Sequence, residues 1–276
     1  MILVTGASGN AGGAVVSALL DTGAEVRALV RPESASQLPN GAEPVSGDLN
    51  KPETLAEAIA GTSAAFLLSG YEGIAETLTE MRRAGVERVV LLSSSAAPSG
   101  DLSNAVARYH ILSEQAVRES GLGWTFLQPN TFMTNTLQWV PQLRGGDLVR
   151  APFADVPVAT IDPADIGAVA ARALTSDAHE GRAYRLSGPE SLLPADRVRI
   201  LARVLGRELR FEGQPDDEAR AEMSESMPPE YVDAFFRFFS DGDVDESQVL
   251  PTVEEVTGRP PGNFEQWAIA HAEAFE

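Results

Sequence analysis

The sequence predicts a doubly wound parallel sheet flanked by helices, followed by a smaller C-terminal α/β lobe. Short apolar runs alternate with helix-like segments through the first half of the 276 residues, which is typical of parallel α/β proteins. Residues 86–92 are almost wholly apolar, as expected of a central strand buried on both faces. Residues 1–5 form the first apolar run and precede a glycine-rich turn and an amphipathic helix. Together these features indicate a Rossmann-like fold.

The glycine-rich turn at residues 6–12 joins the first strand to the first helix. Gly6 allows a sharp turn, Gly9 removes the Cβ that would hold a diphosphate away from the backbone, and Gly12 lets the helix pack closely on the strand. Free N–H groups of the helix's first turn would then point at a bound anion. Because the turn stands between a strand and a helix, we predict a dinucleotide site. Its residues are Gly6, Ala7, Ser8, Gly9, Asn10, Ala11 and Gly12.

The overall charge and hydropathy restrict the kinds of partner. A formal net charge of −19 argues against nucleic acid, because most of the surface would repel its phosphates. No apolar stretch is long enough to span a bilayer. No basic region precedes the first apolar run, so we expect a strand there and no signal peptide. We therefore expect a cytoplasmic protein, a monomer or homodimer, that binds neither nucleic acid nor membrane.

The composition also restricts the chemistry. The absence of cysteine excludes disulfides, thiolate metal sites and cysteine nucleophiles. The acidic segment 241–246 lacks the full ligand pattern of a calcium loop, so we expect a solvated loop. We predict no metal site.

The second strand ends in an arginine that bears on the choice of cofactor. Residues 25–30 are followed by Arg31, whose planar guanidinium can hold a 2′-phosphate, so NADP is favoured over NAD. Arg31 could also be a solvated residue at a strand end. Glu33, nearby, could serve a ribose diol instead.

The third and fourth strands place more candidate residues at the carboxyl edge of the sheet, where ligands of such folds bind. Residues 43–46 lead to Asp48, which could bond the adenine amino group or start a helix at residues 52–60. The fourth strand, residues 64–68, ends where the backbone can approach the cofactor closely. The predicted contacts after these two strands are Asp48, Leu49, Ser69 and Gly70.

The fifth and sixth strands complete the regular alternation. Serines at positions 93–95 follow the fifth strand. One hydroxyl could face the substrate, or all three could be ordinary turn residues. A helix is predicted at residues 102–120 and a strand at 124–128. The chain then becomes irregular at residues 129–133, where it is well placed to line a nicotinamide and to lead into a second lobe.

The second half of the chain is less periodic and predicts a small substrate lobe packed on the sheet. Predicted strands cover residues 156–161 and 183–186, and predicted helices cover residues 163–174, with Asp162 as the cap, and 197–205. We assign residues 1–130 to a dinucleotide-binding core, to which a segment near 155–175 returns. Residues 131–276 are assigned mainly to the substrate-binding lobe.

Large apolar side chains concentrate at residues 223–239. In a helix, Tyr231, Phe235 and either Phe238 or Phe239 would share a face. Such a face could simply belong to the core. Alternatively, it could cover a flat apolar substrate, with the nearby flexible methionines adapting to it.

Several loose motifs occur along the chain in a distinctive order. They are the runs at residues 4–12, 30–32, 47–48, 124–133, 162–166 and 179–188, the pair His110 and Glu114, and the closing segment 258–267. In this order and spacing they resemble the NmrA-like branch of the atypical short-chain dehydrogenases/reductases. Within that branch the chain is most similar to the NAD(P)H:quinone oxidoreductases. The resemblance spans essentially the whole chain.

The resemblance implies roles for particular residues. The glycine-rich turn would hold the diphosphate and Arg31 the 2′-phosphate. The adenosine side of the cofactor would be lined by Leu68, Ser69 and Gly70, and the nicotinamide side by Gln128, Pro129, Asn130 and Met133. The family often has an arginine where Gln128 stands, so a charge near the nicotinamide ribose is not expected here.

Proton transfer departs from the pattern of typical short-chain reductases, which use a tyrosine with a lysine four residues later. Tyr109 is followed at that spacing by Ser113, and Lys51 is the only lysine. His110 and Glu114 lie one helical turn apart. The carboxylate could orient the imidazole as a proton donor, or the pair could be a local salt bridge. Tyr109 and His110 are the candidate catalytic residues.

These observations predict an NADPH-dependent reductase that transfers hydride to a quinone or a related flat aromatic carbonyl compound. A quinone gives a resonance-stabilised hydroquinone anion, so a strong protein acid is less necessary, and orientation contributes most of the catalysis. A ketoreductase of an aromatic polyketide-like substrate is the close alternative. A non-catalytic NADP-binding redox sensor is an alternative of a different class, favoured by the missing tyrosine and lysine pair.

Overall fold

A central sheet of seven parallel strands organises the computed structural model, which describes residues 1–275 except for the side chains of residues 32, 33 and 37. The strands of this sheet and of a second, two-stranded sheet are, in chain order, β1 (Ile2–Val4), β2 (Val26–Leu29), β3 (Glu43–Val45), β4 (Ala64–Leu68), β5 (Arg88–Leu92), β6 (Gly123–Pro129), β7 (Leu148–Ala151), β8 (Arg182–Leu186) and β9 (Arg210–Gly213). The order in the large sheet is β3-β2-β1-β4-β5-β6-β8, and β7 pairs with β9 separately. The strand order reverses between β1 and β4, which opens a ligand crevice at the carboxyl edge.

Helices cover both faces of this sheet, as the predicted fold class requires. The helices of the described chain, on the sheet and elsewhere, are α1 (Asn10–Asp21), α2 (Ala56–Ile59), α3 (Ile74–Arg83), α4 (Ala105–Glu119), α5 (Val140–Gly145), α6 (Pro163–Thr175), α7 (Pro194–Leu205), α8 (Asp216–Ser226), α9 (Pro229–Phe239), α10 (Thr252–Thr257) and α11 (Phe264–Ala270). Residues of α1, α6 and α10 pack on one face, and residues of α2, α3 and α4 pack on the other.

Successive side chains of the central strands enter opposite cores. Val4 packs with α1 and α6, whereas its neighbour Leu3 packs with α2, α3 and α4. Phe66 and Leu67 of β4 divide in the same way. Strands buried on both faces have near-continuous apolar sequences. The apolar runs of the sequence therefore predicted the sheet correctly, and the Rossmann-like α/β fold is confirmed.

The strand predicted at residues 156–161 does not form. Val158 makes only an isolated bridge with Leu192, and Ile161 only an isolated bridge with Phe132. Pro157 lies in the middle of this segment, and proline has no N–H to donate to a ladder. The apolar residues of this segment indicated a strand, but its proline is incompatible with regular pairing.

The strand predicted at residues 183–186 forms, but in a different place. It was assigned to the substrate lobe, whereas β8 pairs with β6 at the edge of the central sheet, with Leu127 opposite Tyr184. The lobe is instead built around the parallel β7–β9 pair and an apolar cluster that includes Trp139, Phe264 and Trp267. The division of the chain at residue 130 stays a prediction.

Three helix boundaries differ from the predicted ones because of local caps. The helix expected at 52–60 splits into a 3₁₀ turn, Pro52–Thr54, and α2. The helix expected from residue 102 begins at Ala105, because Oδ1 of Asn104 accepts hydrogen bonds from the N–H groups of Val106 and Ala107 and so fixes the N-cap. The helix expected from residue 197 begins three residues earlier, with Pro194 in its first turn, where proline is tolerated.

We expect Gly167→Ala to destabilise the protein. A Cβ at this position of α6 would lie 2.6 Å from the Ala14 carbonyl carbon and oxygen of α1, so the two helices would have to separate. Overpacking of this kind lowers the free energy of unfolding by about 1–3 kcal/mol, which outweighs the better helix propensity of alanine. Urea titration followed by circular dichroism measures the change.

Gly145→Ala is the matched control, because Gly145 also lies in a helix and a Cβ there would meet nothing within 4 Å. Equal effects of the two substitutions would contradict the close α1–α6 approach.

Candidate cofactor and substrate site

The glycine-rich turn has the geometry of an anion cradle. Gly6 has a φ of +61°, a conformation that favours glycine. A Cβ on Gly12 would lie 2.2 Å from the Gly6 carbonyl oxygen, so α1 packs against the turn at a distance that only glycine permits. The N-cap of α1 is Gly9, with no side-chain cap, and no acidic residue lies in the first turn. The first N–H groups of α1 are therefore free to receive a diphosphate.

Three contacts bring predicted cofactor residues together at the carboxyl edge. A Cβ on Gly6 would lie 2.5 Å from a Leu68 side-chain carbon, so the turn and the end of β4 are adjacent. A Cβ on Gly70 would lie 3.2 Å from the Tyr109 ring. Asn10 Nδ2 donates to Thr134 Oγ1 at 3.2 Å, which joins the start of α1 to the segment after β6. The glycine-rich turn and the start of α1 therefore contact both the end of β4 and the segment after β6.

Ser113, which stands where typical short-chain reductases have a lysine, has a defined backbone role. Its Oγ accepts a hydrogen bond from the N–H of Gly70 at 3.1 Å and donates one to the carbonyl oxygen of Tyr109 at 2.7 Å. A serine therefore fixes the turn after β4 against α4. The hydroxyl carries no charge that could lower the pKa of the Tyr109 phenol, and burial raises that pKa.

The adenosine end of the predicted site lies after β2 and β3. Arg31 is exposed directly beyond β2, and the side chain of Glu33 lies outside the described residues. Asp48 Oδ1 accepts from the N–H of Asn50 at 3.0 Å, so the carboxylate stabilises its own turn. Leu49 is buried beside it.

The side chains predicted on the nicotinamide side mostly turn inward. Gln128 is buried, and its Nε2 donates to Glu114 Oε1 at 2.8 Å. Asn130 Nδ2 donates to the carbonyl oxygens of Ala159 at 3.3 Å and Glu246 at 3.0 Å. Met133 is buried in the lobe cluster, and Pro129 ends β6. These side chains fix the backbone at the end of β6.

The predicted contact between His110 and Glu114 is wrong. Oε1 of Glu114 accepts from Ser93 Oγ at 2.6 Å as well as from Gln128, and Oε2 accepts from Arg118 at 2.9 Å. Nδ1 of His110 is buried and has no hydrogen-bond partner among the described residues. Helical spacing was correct, but the carboxylate is drawn toward donors on the sheet.

His110 and Tyr109 nevertheless lie side by side, with ring centroids 4.1 Å apart. Burial lowers the pKa of His110 to about 3, because the charged imidazolium is disfavoured away from water. The imidazole is therefore neutral at physiological pH. The Tyr109 ring lies next to Gly70, and the neutral His110 ring lies beside Tyr109.

Glu246 is a central residue that the sequence analysis missed. We predicted a solvated acidic loop at residues 241–246, but Glu246 is buried between the ends of β5 and β6. Its carboxylate accepts from Ser95 Oγ at 2.5 Å, from Thr131 Oγ1 at 2.6 Å and from the Thr131 N–H at 3.1 Å. Burial raises its pKa despite these donors. No local signal distinguishes this glutamate from its exposed acidic neighbours.

A cavity of about 520 Å³ begins at Thr131 and extends into the lobe. Its apolar wall is formed by Phe153, Met223, Met227, Phe235 and Phe239. The rings of Phe235 and Phe239 are nearly parallel, with an interplanar angle of 4° and centroids 6.4 Å apart. The predicted shared face is confirmed for Phe235 and Phe239, whereas Tyr231 is not among the residues that line this cavity. Phe238 packs against α4 in a small core that Phe239 also contacts.

Two negative findings apply to the described part of the chain. No helix within residues 1–275 combines the length and apolar character that crossing a bilayer demands. The same residues contain no cluster of histidine and carboxylate side chains arranged for a metal ion. The expected location, oligomeric state and lack of nucleic-acid binding stay predictions.

The chain is similar to known proteins along its whole length. A family model described as NAD(P)H-binding matches residues 6–177. The chain is 42% identical over 283 residues to a (4-alkanoyl-5-oxo-2,5-dihydrofuran-3-yl)methyl phosphate reductase from Streptomyces griseus, covering 100% of this chain and 99% of that one. It is 34% identical over 285 residues to an NAD(P)H azoreductase from Xenophilus azovorans, with the same coverage of 100% and 99%.

A solved structure supports the fold. The NADPH-dependent quinone oxidoreductase of Escherichia coli, complexed with NADPH, matches with a TM-score of 0.80 and 23% identity, covering 99% of this chain and 100% of that chain. The predicted cofactor class agrees with the family model and with the glycine cradle. The chain therefore belongs to the NAD(P)H-binding family and is an NAD(P)H-dependent oxidoreductase, in agreement with its resemblance to the NmrA-like short-chain dehydrogenases/reductases.

Proposed function

We propose that the protein uses NADPH to reduce a flat, conjugated carbonyl compound, with quinones as the leading class. The observation that carries the proposal is the cavity that starts at Thr131, beside the predicted nicotinamide position, and continues between the aromatic and methionine side chains of α8 and α9. Parallel rings favour a planar guest that stacks on them. Methionines can adapt to its outline.

The relatives' names support the same substrate class. One is a reductase of a (4-alkanoyl-5-oxo-2,5-dihydrofuran-3-yl)methyl phosphate, which is an unsaturated ring carbonyl compound with a phosphate monoester, and another is an azoreductase. Both kinds of acceptor are conjugated and planar at the atoms that are reduced. A quinone shares these properties, so one cavity shape can serve all three.

The protein's own part in the reaction is mainly to bind and orient. When bound, NADPH supplies the hydride. The first N–H groups of α1 would hold its diphosphate, Arg31 would hold its 2′-phosphate, and the backbone at the end of β6 would line the nicotinamide. Holding donor and acceptor at reacting distance removes much of the entropic barrier.

Proton delivery needs no charged acid in this scheme. Tyr109 and His110 are the residues that we propose to hydrogen-bond the reduced oxygen, both as neutral donors. A hydroquinone anion is stabilised by resonance, so it can also take its proton from water. This is why the scheme suits a quinone better than a simple ketone, whose alkoxide needs a nearby acid.

We expect Arg31→Ser to raise the KM for NADPH roughly 10- to 100-fold, because a charge-assisted pair with the 2′-phosphate is lost. The KM for NADH, which has no 2′-phosphate, should change little. Steady-state kinetics with both cofactors measure the difference. Arg182→Ser, at an exposed arginine that begins β8, is the control. Equal changes for the two cofactors would refute the role of Arg31.

We expect menadione and an unsaturated butenolide to be reduced, and cyclohexanone to be left unchanged, as followed by the loss of NADPH absorbance. Phe235→Ala should raise the KM for menadione roughly tenfold because an aromatic contact is lost. Leu112→Ala, at an exposed apolar residue of α4, should not. Tight NADPH binding without reduction of any acceptor would disprove the proposal and favour a redox sensor.

The pH profile tests the neutral state of His110. Because its pKa is lowered to about 3, kcat/KM for menadione should show no inflection between about pH 5.5 and 8. His110→Gln should leave the shape of this profile unchanged. His179→Gln, near the amino ends of the strands, is the control. An inflection near the usual histidine pKa that disappears only in His110→Gln would show that an imidazolium acts as the acid.

A further inference from the structure

One charged side chain in the substrate cavity has no counterion. Arg197 of α7 lines the cavity and is only 8% exposed. Its Nε has no hydrogen-bond partner, and the described residues provide its guanidinium with no ion pair. The guanidinium lies instead over the Trp139 ring, 5.1 Å from the centroid. Burial lowers the pKa of Arg197 to about 10, so the side chain keeps its charge at neutral pH.

The lack of a counterion for Arg197 is unusual in this chain. The protein has 40 acidic residues and 21 basic ones, so carboxylates are abundant. Arg150 lines the same cavity, but Glu212 and Glu218 neutralise it at 2.8 Å and 2.7 Å. Glu222 also lines the cavity, but it is exposed and accepts a hydrogen bond from Gln214 at 2.7 Å. Arg197 is therefore the charge in the cavity wall that lacks a partner.

Other hydrogen-bond donors line the same cavity. Nε1 of Trp139 is buried and has no hydrogen-bond partner. Asn135 and Gln138 also line the cavity, and both are exposed, so their side-chain amides are available to a ligand. Buried polar groups are nearly always paired, so the unpaired Nε of Arg197 and Nε1 of Trp139 indicate a missing acceptor. Several donors around one guanidinium suit a phosphate, which offers more acceptor oxygens than a carboxylate.

We propose that the cavity binds a substrate that carries a phosphate monoester, with Arg197 as the receptor of the phosphate. The conjugated ring would then stack on the Phe235 and Phe239 side of the cavity while its phosphate reaches α7. A fixed anion would hold the ring in one orientation relative to the nicotinamide. That this compound is a substrate rests on the proposed reductase function. That the compound binds in the cavity does not.

The test measures binding of phenyl phosphate to the full-length protein by calorimetry, without turnover. The protein is saturated with NADP⁺, so that the probe cannot occupy the cofactor's phosphate sites. Phenyl phosphate should bind more tightly than phenylacetate and benzyl alcohol. Arg197→Met should weaken phenyl phosphate binding roughly 10- to 100-fold, because charge-assisted hydrogen bonds are lost. Binding of benzyl alcohol should stay the same.

Arg199→Met is the matched control, because Arg199 lies on the same helix but is exposed and pairs with Asp196 at 2.7 Å. The Arg199→Met variant should bind phenyl phosphate, phenylacetate and benzyl alcohol as the wild type does. If Arg197→Met does not fold, Arg197→Lys replaces it. We expect phenyl phosphate to bind at least about threefold more weakly to that variant, because an ammonium cannot form two parallel hydrogen bonds.

Three results would overturn the proposal. They are equal phenyl phosphate affinity in the wild type and the Arg197 variants, equal weakening of benzyl alcohol, and phenylacetate binding as tight as that of phenyl phosphate. A protein that binds phenyl phosphate through Arg197 but reduces no acceptor would instead disprove the reductase proposal and leave the phosphate subsite in place.

Discussion

The close approach of α1 to the turn that precedes it determines most of the architecture around the site. With a virtual Cβ of Gly12 only 2.2 Å from the Gly6 carbonyl oxygen, any larger residue would push the helix outward. This approach keeps the uncapped end of α1 at the carboxyl edge of the sheet. It also positions α1 for its close contact with α6 at Gly167. The anion cradle and the packing of one whole face of the sheet thus depend on the same backbone contact.

Two buried carboxylates fix the backbone along the rest of the carboxyl edge of the sheet. Glu114 binds Ser93 after β5 and Gln128 in β6, and Glu246 binds Ser95 and Thr131 at the next positions outward. Each carboxylate therefore links the end of β5 to the end of β6. Leaving such a group without its donors would cost several kcal/mol, so the pair holds the irregular segment after β6 in one conformation.

Features encoded by neighbouring residues could be predicted from the sequence. The glycine turn, the apolar strands of the central sheet and the irregularity after β6 each have a local signal, and the structure agrees with these, although the apolar segment 156–161 forms no strand. Features that depend on residues far apart could not be predicted. Ser95 and Glu246 are 151 positions apart, and nothing near Glu246 indicates that it returns to the sheet. The unpaired charge of Arg197 has the same origin, because only the folded cavity shows which carboxylates lie out of reach.

The α8–α9 hairpin has a small apolar cluster of its own, formed by Ala219, Val232 and Phe236, separate from the cores of the sheet and the lobe. Its inner surface supplies much of the cavity wall, yet no residue of the glycine cradle belongs to it. Substitutions in this hairpin can therefore accumulate during divergence without disturbing coenzyme recognition. Gene copies that inherit one coenzyme site can in this way acquire different acceptors, and grafting the hairpin between relatives would be a practical route to new specificities.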